Sequence, residues 1–401
     1  MRRRSFLKAA PAVAVGGCIS QPSTAGRAVS SPVPTDEPPR AVTAGTLDGF
    51  ADLSRWSTMD GSAEVDTDLS PDGTQSVHLH ASATEPRARI VRRFERPIDM
   101  SGLGVGLSAR TRHNNIPYVQ VYDAAGNRVN FRAPVRGGLS FQPFDFGVGS
   151  VEGSPDLSAV TEIRITVWAG EGESAEMWCD DLALVDRVDT GTVVVQFDDG
   201  NLTDYSAALP VLEEHGFVAS TFVCPGSIGT EGKLGLSELS ELREAGWDVA
   251  SHTTDHEHLP TLDRATQEAQ IAGSKDWLVD HGFERGAEYL VYPYGEYDQT
   301  TIDLAERYHE LSFAGGFPGY GRPTNRQVVQ RVPSPGVERA ARAIDIAAAF
   351  DGITVLFYHQ LTAESDPTRS AFESTMSYLA ERASNGDVRV VPARALGWLA
   401  D

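Results

Sequence analysis

Three clusters in this 401-residue chain have the residue types and spacing for acid–base chemistry around a cation. The first is Asp198-Asp199, which closes the run Val193-Val-Val-Gln-Phe-Asp-Asp-Gly200. Adjacent carboxylates repel, and a bound cation is the usual way to keep both ionised. The second is Ser251-His252-Thr-Thr-Asp-His256, with two imidazoles four residues apart. Two neutral imidazole nitrogens and one carboxylate make a three-ligand site with an open position, which is the pattern of a catalytic ion rather than a structural one. Glu257 and His258 crowd the same stretch as competing ligands. The third is His359, at the end of Ile353-Thr-Val-Leu-Phe-Tyr-His359. On the same face as a metal site, a histidine there serves as a general acid.

These clusters lie far apart in sequence, so the fold must bring strand ends together. Val193 to Phe197 is β-branched and apolar throughout, as in a strand covered on both faces. From residue 190 the pattern alternates strand and helix, which predicts a parallel α/β sheet. Helices are expected over Leu202–His215, from a Ser237 cap to Gly246, over Asp263–His281, Arg339–Phe350 and Arg394–Leu399. Strands are expected over Phe217–Val223, Trp247–Ser251, Tyr289–Tyr292, Ile353–Tyr358 and Val388–Val391. Roughly eight such units in about 210 residues fit one barrel of TIM type, in which the strand ends converge on one face.

Residues 45–187 read differently. Short alternating runs such as Tyr118-Val-Gln-Val-Tyr122 and Glu162-Ile-Arg-Ile-Thr-Val-Trp168 are separated by Gly, Asp, Asn and Pro, which predicts an all-β sandwich. Its ending, Asp180-Asp-Leu-Ala-Leu-Val185, resembles the last strand of galactose-binding-like, jelly-roll carbohydrate modules. Trp56, Trp168, Trp178 and Tyr118 are its candidates for stacking on sugar rings, with core filling as the competing role. Residues 19–44, rich in Pro, Ser, Thr, Ala and Gly, read as a flexible linker. Residues 1–18 read as an export leader. Arg3-Arg4-Ser-Phe-Leu-Lys resembles a twin-arginine signal, and Val15-Gly-Gly-Cys18 resembles a lipobox that makes Cys18 a lipid anchor.

The net charge is −22, from 56 acidic and 34 basic residues, and Lys8, Lys233 and Lys275 are the only lysines. Such a surface repels nucleic acid and anionic membranes, leaving a lipid on Cys18 as the only expected membrane contact. The composition looks like that of proteins from salt-loving archaea. Three cysteines are too few for a disulfide scaffold, and Cys179 and Cys224 read as small buried side chains. Nothing in the sequence speaks to oligomeric state.

Gln196-Phe-Asp-Asp-Gly200, His252-Thr-Thr-Asp-His256, Tyr292-Pro-Tyr-Gly295 and Leu356-Phe-Tyr-His359 resemble, in order, motifs of the polysaccharide deacetylases. These are the NodB-homology enzymes of carbohydrate esterase family four, and the resemblance covers about residues 190–395. It implies a distorted, NodB-like (β/α) barrel over 190–401. It also implies that Asp198 is the general base, and that Asp199, His252 and His256 hold a divalent metal: zinc first, cobalt or nickel otherwise. The backbone N–H of Tyr294 would hold an oxyanion, and His359 would protonate the leaving group. The expected substrate is an acetylated extracellular or cell-surface polysaccharide that loses N-acetyl groups. The alternatives are an O-acetyl, xylan-type esterase or a catalytically silent glycan-binding protein. One position departs from the pattern: where many members carry an arginine against the base, this chain has Val291. Arg331, at the end of another predicted strand, is the expected substitute.

Overall fold

The computed structural model describes residues 37–71 and 74–399. The leader motif and Cys18 therefore lie outside the described residues. No helix among the described residues is long and apolar enough to cross a membrane.

The first half is built almost entirely from strands. One layer contains Arg87–Asp99, Val160–Trp168, Tyr118–Asp123 and Arg128–Arg132, and the other contains Leu103–Thr111, Ala175–Asp186, Ser76–Ala81 and Ser62–Asp66. Gln142–Glu152 joins the layers: its first half pairs with Leu103–Thr111 and its second half with Arg128–Arg132. Alternation sets the inner faces, since successive side chains point to opposite sides of a strand. Val119, Val121, Ile163 and Ile165 are fully buried, whereas Gln120 and Arg164 between them are only partly covered.

Two of the candidate sugar platforms are buried, in the core-filling role that competed with stacking. Trp56 is 7% exposed and Trp178 4%, with their indole N–H groups bonded to Asp48 (3.1 Å) and Asp66 (2.8 Å). Trp168 alone of the three stands out, at 45% exposure, because it ends its strand.

The second half is the barrel. Its strands are β1 Gly191–Phe197, β2 Ser220–Val223, β3 Asp248–Ser251, β4 Tyr289–Val291, β5 Leu311–Gly315, β6 Val329–Pro333, β7 Ile353–Tyr358 and β8 Val388–Val390. All pairings are parallel, and seven strands, β1 to β7, close the ring. β8 is not a stave of its own, which corrects the expectation of eight full units. It shares an edge of β1 with β2: Gly191–Val193 pair with β8, and Gln196–Phe197 pair with β2. Val194, Phe222, Ala250, Val291, Phe313, Val329 and Val355 fill the interior. The intervening Val193, Val195 and Leu356 face the helices.

The helices are α1 Leu209–Glu214, α2 Leu236–Glu244, α3 Arg264–Asp280, α4 Gln299–Tyr308, α5 Val337–Phe350, α6 Arg369–Ser384 and α7 Arg394–Leu399. Four differ from the sequence expectation. The helix expected over Leu202–His215 opens with a wide π-turn, Asp204–Ala208, because Pro210 lacks the N–H that would continue the α ladder. α2 is capped at Gly235 rather than Ser237, since the Glu238 carboxylate reaches back to accept from the Gly235 N–H at 3.0 Å. α4 and α6 were not anticipated. α6 buries Phe372, Thr375, Met376 and Leu379, a helical stripe disguised by a threonine.

The two halves are docked, not strung apart. Ile346 and Phe350 of α5 belong to one buried cluster with Phe131 and Phe146. The buried Arg187 guanidinium donates to Leu103 O (2.8 Å) on one side and Phe350 O (2.6 Å) on the other. Buried Asp145 accepts from Thr324 N–H (2.9 Å) and its hydroxyl (2.7 Å). Gly147 is required at this seam, where a Cβ would come within 2.6 Å of the Phe317 carbonyl.

Candidate active site

The site lies at the C-terminal rim of β1, β3, β4, β6 and β7. Asp198 N–H donates to Tyr358 O at 2.9 Å, which extends the ladder by one residue and keeps Asp198 on the inward face with Val194 and Gln196. The chain then bends. Asp199 has φ 72°, and Gly200 follows at φ 58°, where a Cβ would press on Val223 at 3.0 Å. Thr253 (φ 64°), His256 (φ 59°) and Tyr294 (φ 59°) share this left-handed conformation. With Ser334 (φ 33°) after β6, five of the eight non-glycine positive-φ residues among those described lie on one rim, each at a cost of about 1–3 kcal/mol that surrounding contacts must offset.

The structure brings Asp199, His252 and His256 together, with one ligand atom from each within 4.8 Å of the others. The Nε2 atoms of His252 and His256 stand 3.5 and 3.4 Å from Asp199 Oδ1. His252 Nδ1 lies 2.8 Å from Val291 O, so Nδ1 carries the proton and the Nε2 lone pair faces Asp199. Burial and neighbouring His252 push the His256 pKa down, favouring the neutral imidazole a metal needs. Burial alone would raise Asp199, but His252, His359 and Lys233 outweigh it and hold the carboxyl well below its usual range. The donor set and its protonation states therefore fit a divalent cation with two nitrogen ligands and one oxygen ligand. His258 is not part of the set: its Nδ1 is 2.9 Å from Glu296, and its ring stacks on Tyr294 at 3.8 Å.

Asp198 is held separately. Arg331 Nη1 and Nη2 donate to its two oxygens at 2.9 and 3.0 Å, and Nη1 also donates to Gln196 Oε1 at 3.1 Å. Both Asp198 and Arg331 are 2% exposed, and the guanidinium carbon lies 3.9 Å from the Phe357 ring centroid. β6 alternation explains the position, since Arg331 is two residues past inward-facing Val329. The inward position on β4 is Val291, so the guanidinium enters from two strands further round the barrel.

Tyr294 sits beside this centre, its ring 4.6 Å from that of His256. The turn is closed by Gly295 N–H to Tyr292 O (2.9 Å) and Glu296 N–H to Pro293 O (3.0 Å), a pattern that leaves the Tyr294 N–H out of the ladder. His359 is exposed on the β7 side, with Nδ1 3.2 Å from Ser334 Oγ.

Several residues here were missed from sequence. Lys233 Nζ donates to Asp199 O (2.9 Å) and Asn201 Oδ1 (3.1 Å), and Asn201 Nδ2 donates to Asp198 O (3.1 Å), so the pair fixes the aspartate turn. The signal for Lys233 was its rarity in a chain with three lysines. Cys224 lines a cavity of about 340 Å³ with Asp199, His256, Lys233 and Asp255. It is buried and unpaired, as is Cys179.

Asp204 is fully buried behind the centre, where one oxygen accepts from the Thr221 hydroxyl at 2.7 Å and the other has no partner among the described residues. Burial foremost, with Asp198 and Asp199 nearby, drives its pKa well above the usual range. A folded-state pKa above the unfolded one gives stability that is complete at acid pH and is lost as pH rises towards the folded pKa. Asp204→Asn is therefore expected to flatten the decline in unfolding free energy between about pH 4 and 7. Urea unfolding of both proteins across that window tests this, and parallel curves would contradict it.

Residues 186–310 match the polysaccharide deacetylase family. The matched segment contains Asp198, Asp199, His252, His256 and Tyr294, while Arg331 and His359 lie beyond it. The Bacillus subtilis protein YxkH is 35% identical over 115 residues, covering 29% of this chain and 41% of its own. The poly-β-1,6-N-acetyl-D-glucosamine N-deacetylase of Staphylococcus epidermidis is 30% identical over 129 residues, covering 29% of this chain and 45% of its own. The chain thus spans less than half the length of these curated relatives. A family 4 carbohydrate esterase from Streptomyces lividans, solved with acetate, is 20% identical, covers 50% of this chain and 91% of its own, and has a TM-score of 0.37.

Proposed function

We propose that the protein is a metal-dependent hydrolase that removes N-acetyl groups from an extracellular or cell-surface polysaccharide. The convergence of Asp199, His252 and His256 beside the Arg331-clamped Asp198 carries this reading. The name of the Staphylococcus epidermidis relative, which specifies an N-acetylated sugar polymer, favours nitrogen over oxygen as the leaving atom.

Asp199, His252 and His256 would hold the cation, with zinc the first choice for this donor set and cobalt or nickel next. When bound, it supplies Lewis acidity towards an acyl carbonyl and a water. Asp198 accepts the proton of the attacking water, and Arg331 keeps its carboxylate aimed and charge-balanced. The Tyr294 N–H donates to the carbonyl oxygen as that oxygen becomes an oxyanion. His359, oriented through Ser334, gives its proton to the departing amine; an unprotonated amine leaves poorly, and the tetrahedral species would revert. The products are acetate and a free amine on the sugar.

Export by the twin-arginine route and a lipid on Cys18 fit this role. They would set the enzyme at the cell surface, where such polymers lie. The acidic, lysine-poor composition recommends assay in concentrated salt. The decisive experiment measures acetate released from N-acetylated and O-acetylated oligosaccharides, with and without chelator. Release from the N-acetylated substrate that is lost with chelator and regained with zinc is expected. Release indifferent to chelator would refute the metal role, and release from O-acetyl esters alone would make the protein an esterase.

A further inference from the structure

The seam between the two halves opens into a cleft of about 580 Å³, within the ~300–1,000 Å³ range of ligand sites. Trp168, Tyr118, Arg132 and Arg136 line it from the β half, and Tyr294 and Tyr297 line it from the barrel. Its charge inverts that of the chain. No Asp or Glu lines it, on a protein with 56 acidic and 34 basic residues. Its two arginines also lack carboxylate partners among the described residues, unlike Arg89, Arg92, Arg128 and Arg164 of the same half. Arg132 lies over Tyr118 (4.4 Å) and Phe317 (5.1 Å), and its buried Nε has no acceptor. Arg136 donates to Gly295 O at 3.1 Å. Trp168 is held at its carbonyl by Asn115 (2.9 Å), and its indole is partly exposed, with the Arg87 guanidinium 5.9 Å from the ring centroid.

We propose that this cleft is a subsite for an acidic polysaccharide, and that the β half is part of the substrate-binding surface. The inference rests on the deacetylase reading and names its substrate class. Tyr294 is the link: it lines the cleft and its ring touches that of His256, so a glycan with an acetyl group at the metal face runs across Tyr294 towards Trp168. The exposed indole takes the apolar face of a sugar ring. The arginines take a carboxylate substituent through charge-assisted hydrogen bonds. They also give a polyanion a landing point on a surface that otherwise repels it, and in concentrated salt that long-range repulsion is screened.

The test compares kcat/KM of the full chain on carboxymethyl chitin, on neutral glycol chitin and on a short N-acetylated oligosaccharide that does not reach the cleft. The wild type is expected to favour the acidic polymer about tenfold. Trp168→Ala and Arg132→Gln should erase that preference and leave the short substrate unchanged, with Arg136→Gln as a second charge variant should Arg132→Gln melt early. Equal use of both polymers by the wild type, or a preference that survives in the variants, would overturn the proposal. If no substrate is deacetylated, the enzymatic reading fails on its own. Retention of the full chain on immobilised carboxymethyl chitin then decides the cleft: loss of retention in Trp168→Ala supports it, and absence of retention by the wild type rejects it.

Discussion

Asp199→Ala is expected to abolish acetate release and to weaken divalent-cation binding by more than about 100-fold, the upper end of what loss of an outer-shell partner costs such sites. Asp199 supplies the only negative charge among the three ligands, so the variant leaves two neutral imidazoles facing a doubly charged ion. The effect should stay local. Asp199 is partly exposed, so little packing is lost, although its left-handed backbone (φ 72°) suits alanine less well than aspartate. His256→Ala should behave similarly. His258→Ala, two residues on, should stay within a fewfold of wild type, because His258 touches Glu296 and Tyr294 rather than the ligand set. Titration calorimetry with zinc, run beside the acetate assay, separates the cases. Full cation binding by the Asp199 variant would move the metal elsewhere.

The convergence of Asp199, His252 and His256 was legible because the chemistry they offer resides in residue identity. Few reasons other than a cation put Asp-Asp at the end of an apolar strand with a His-x-x-x-His downstream, and a parallel barrel gathers strand ends whatever their separation. What stayed hidden depends on contacts that no local pattern encodes. Lys233 reaches the aspartate turn from a loop and leaves only an Asn201–Lys233 bridge behind. Strand β8 satisfies the period-two pattern, but nothing in Val388–Val390 tells that β1 has already given half of that edge to β2. The three tryptophans of the β half were equivalent by type. Only the end of strand Val160–Trp168 separates an exposed indole from two buried ones whose N–H groups bond carboxylates. The docking of the two halves was equally unreadable, since it turns on Arg187 and on glycines where backbones touch.

Arg331 is the second large effect, and here activity and stability should part company. Its fork holds both oxygens of Asp198 in a site where neither residue reaches water. Removing one member of a buried ion pair leaves the other charge uncompensated, at about 3–5 kcal/mol. Arg331→Leu should thus lower the unfolding free energy by that amount, and Asp198→Asn should also destabilise by stranding the guanidinium. The double variant Arg331→Leu/Asp198→Asn should recover much of the loss, because a neutral pair has no charge left to strand. Catalysis should follow a different order. Asp198→Asn should cost about 10²–10⁴ in kcat, the range of a positioned general base, with zinc affinity little changed because Asp198 lies outside the candidate group of Asp199, His252 and His256. Arg331→Lys keeps the positive charge, so it should melt close to wild type, yet a point ammonium cannot hold both oxygens at once and kcat should fall. The double variant would then be a stable, zinc-binding and nearly inert protein, which no purely structural role for the pair predicts. If Arg331→Lys retained full kcat, the aim of the carboxylate would not depend on the fork, and the arginine would serve only to balance charge.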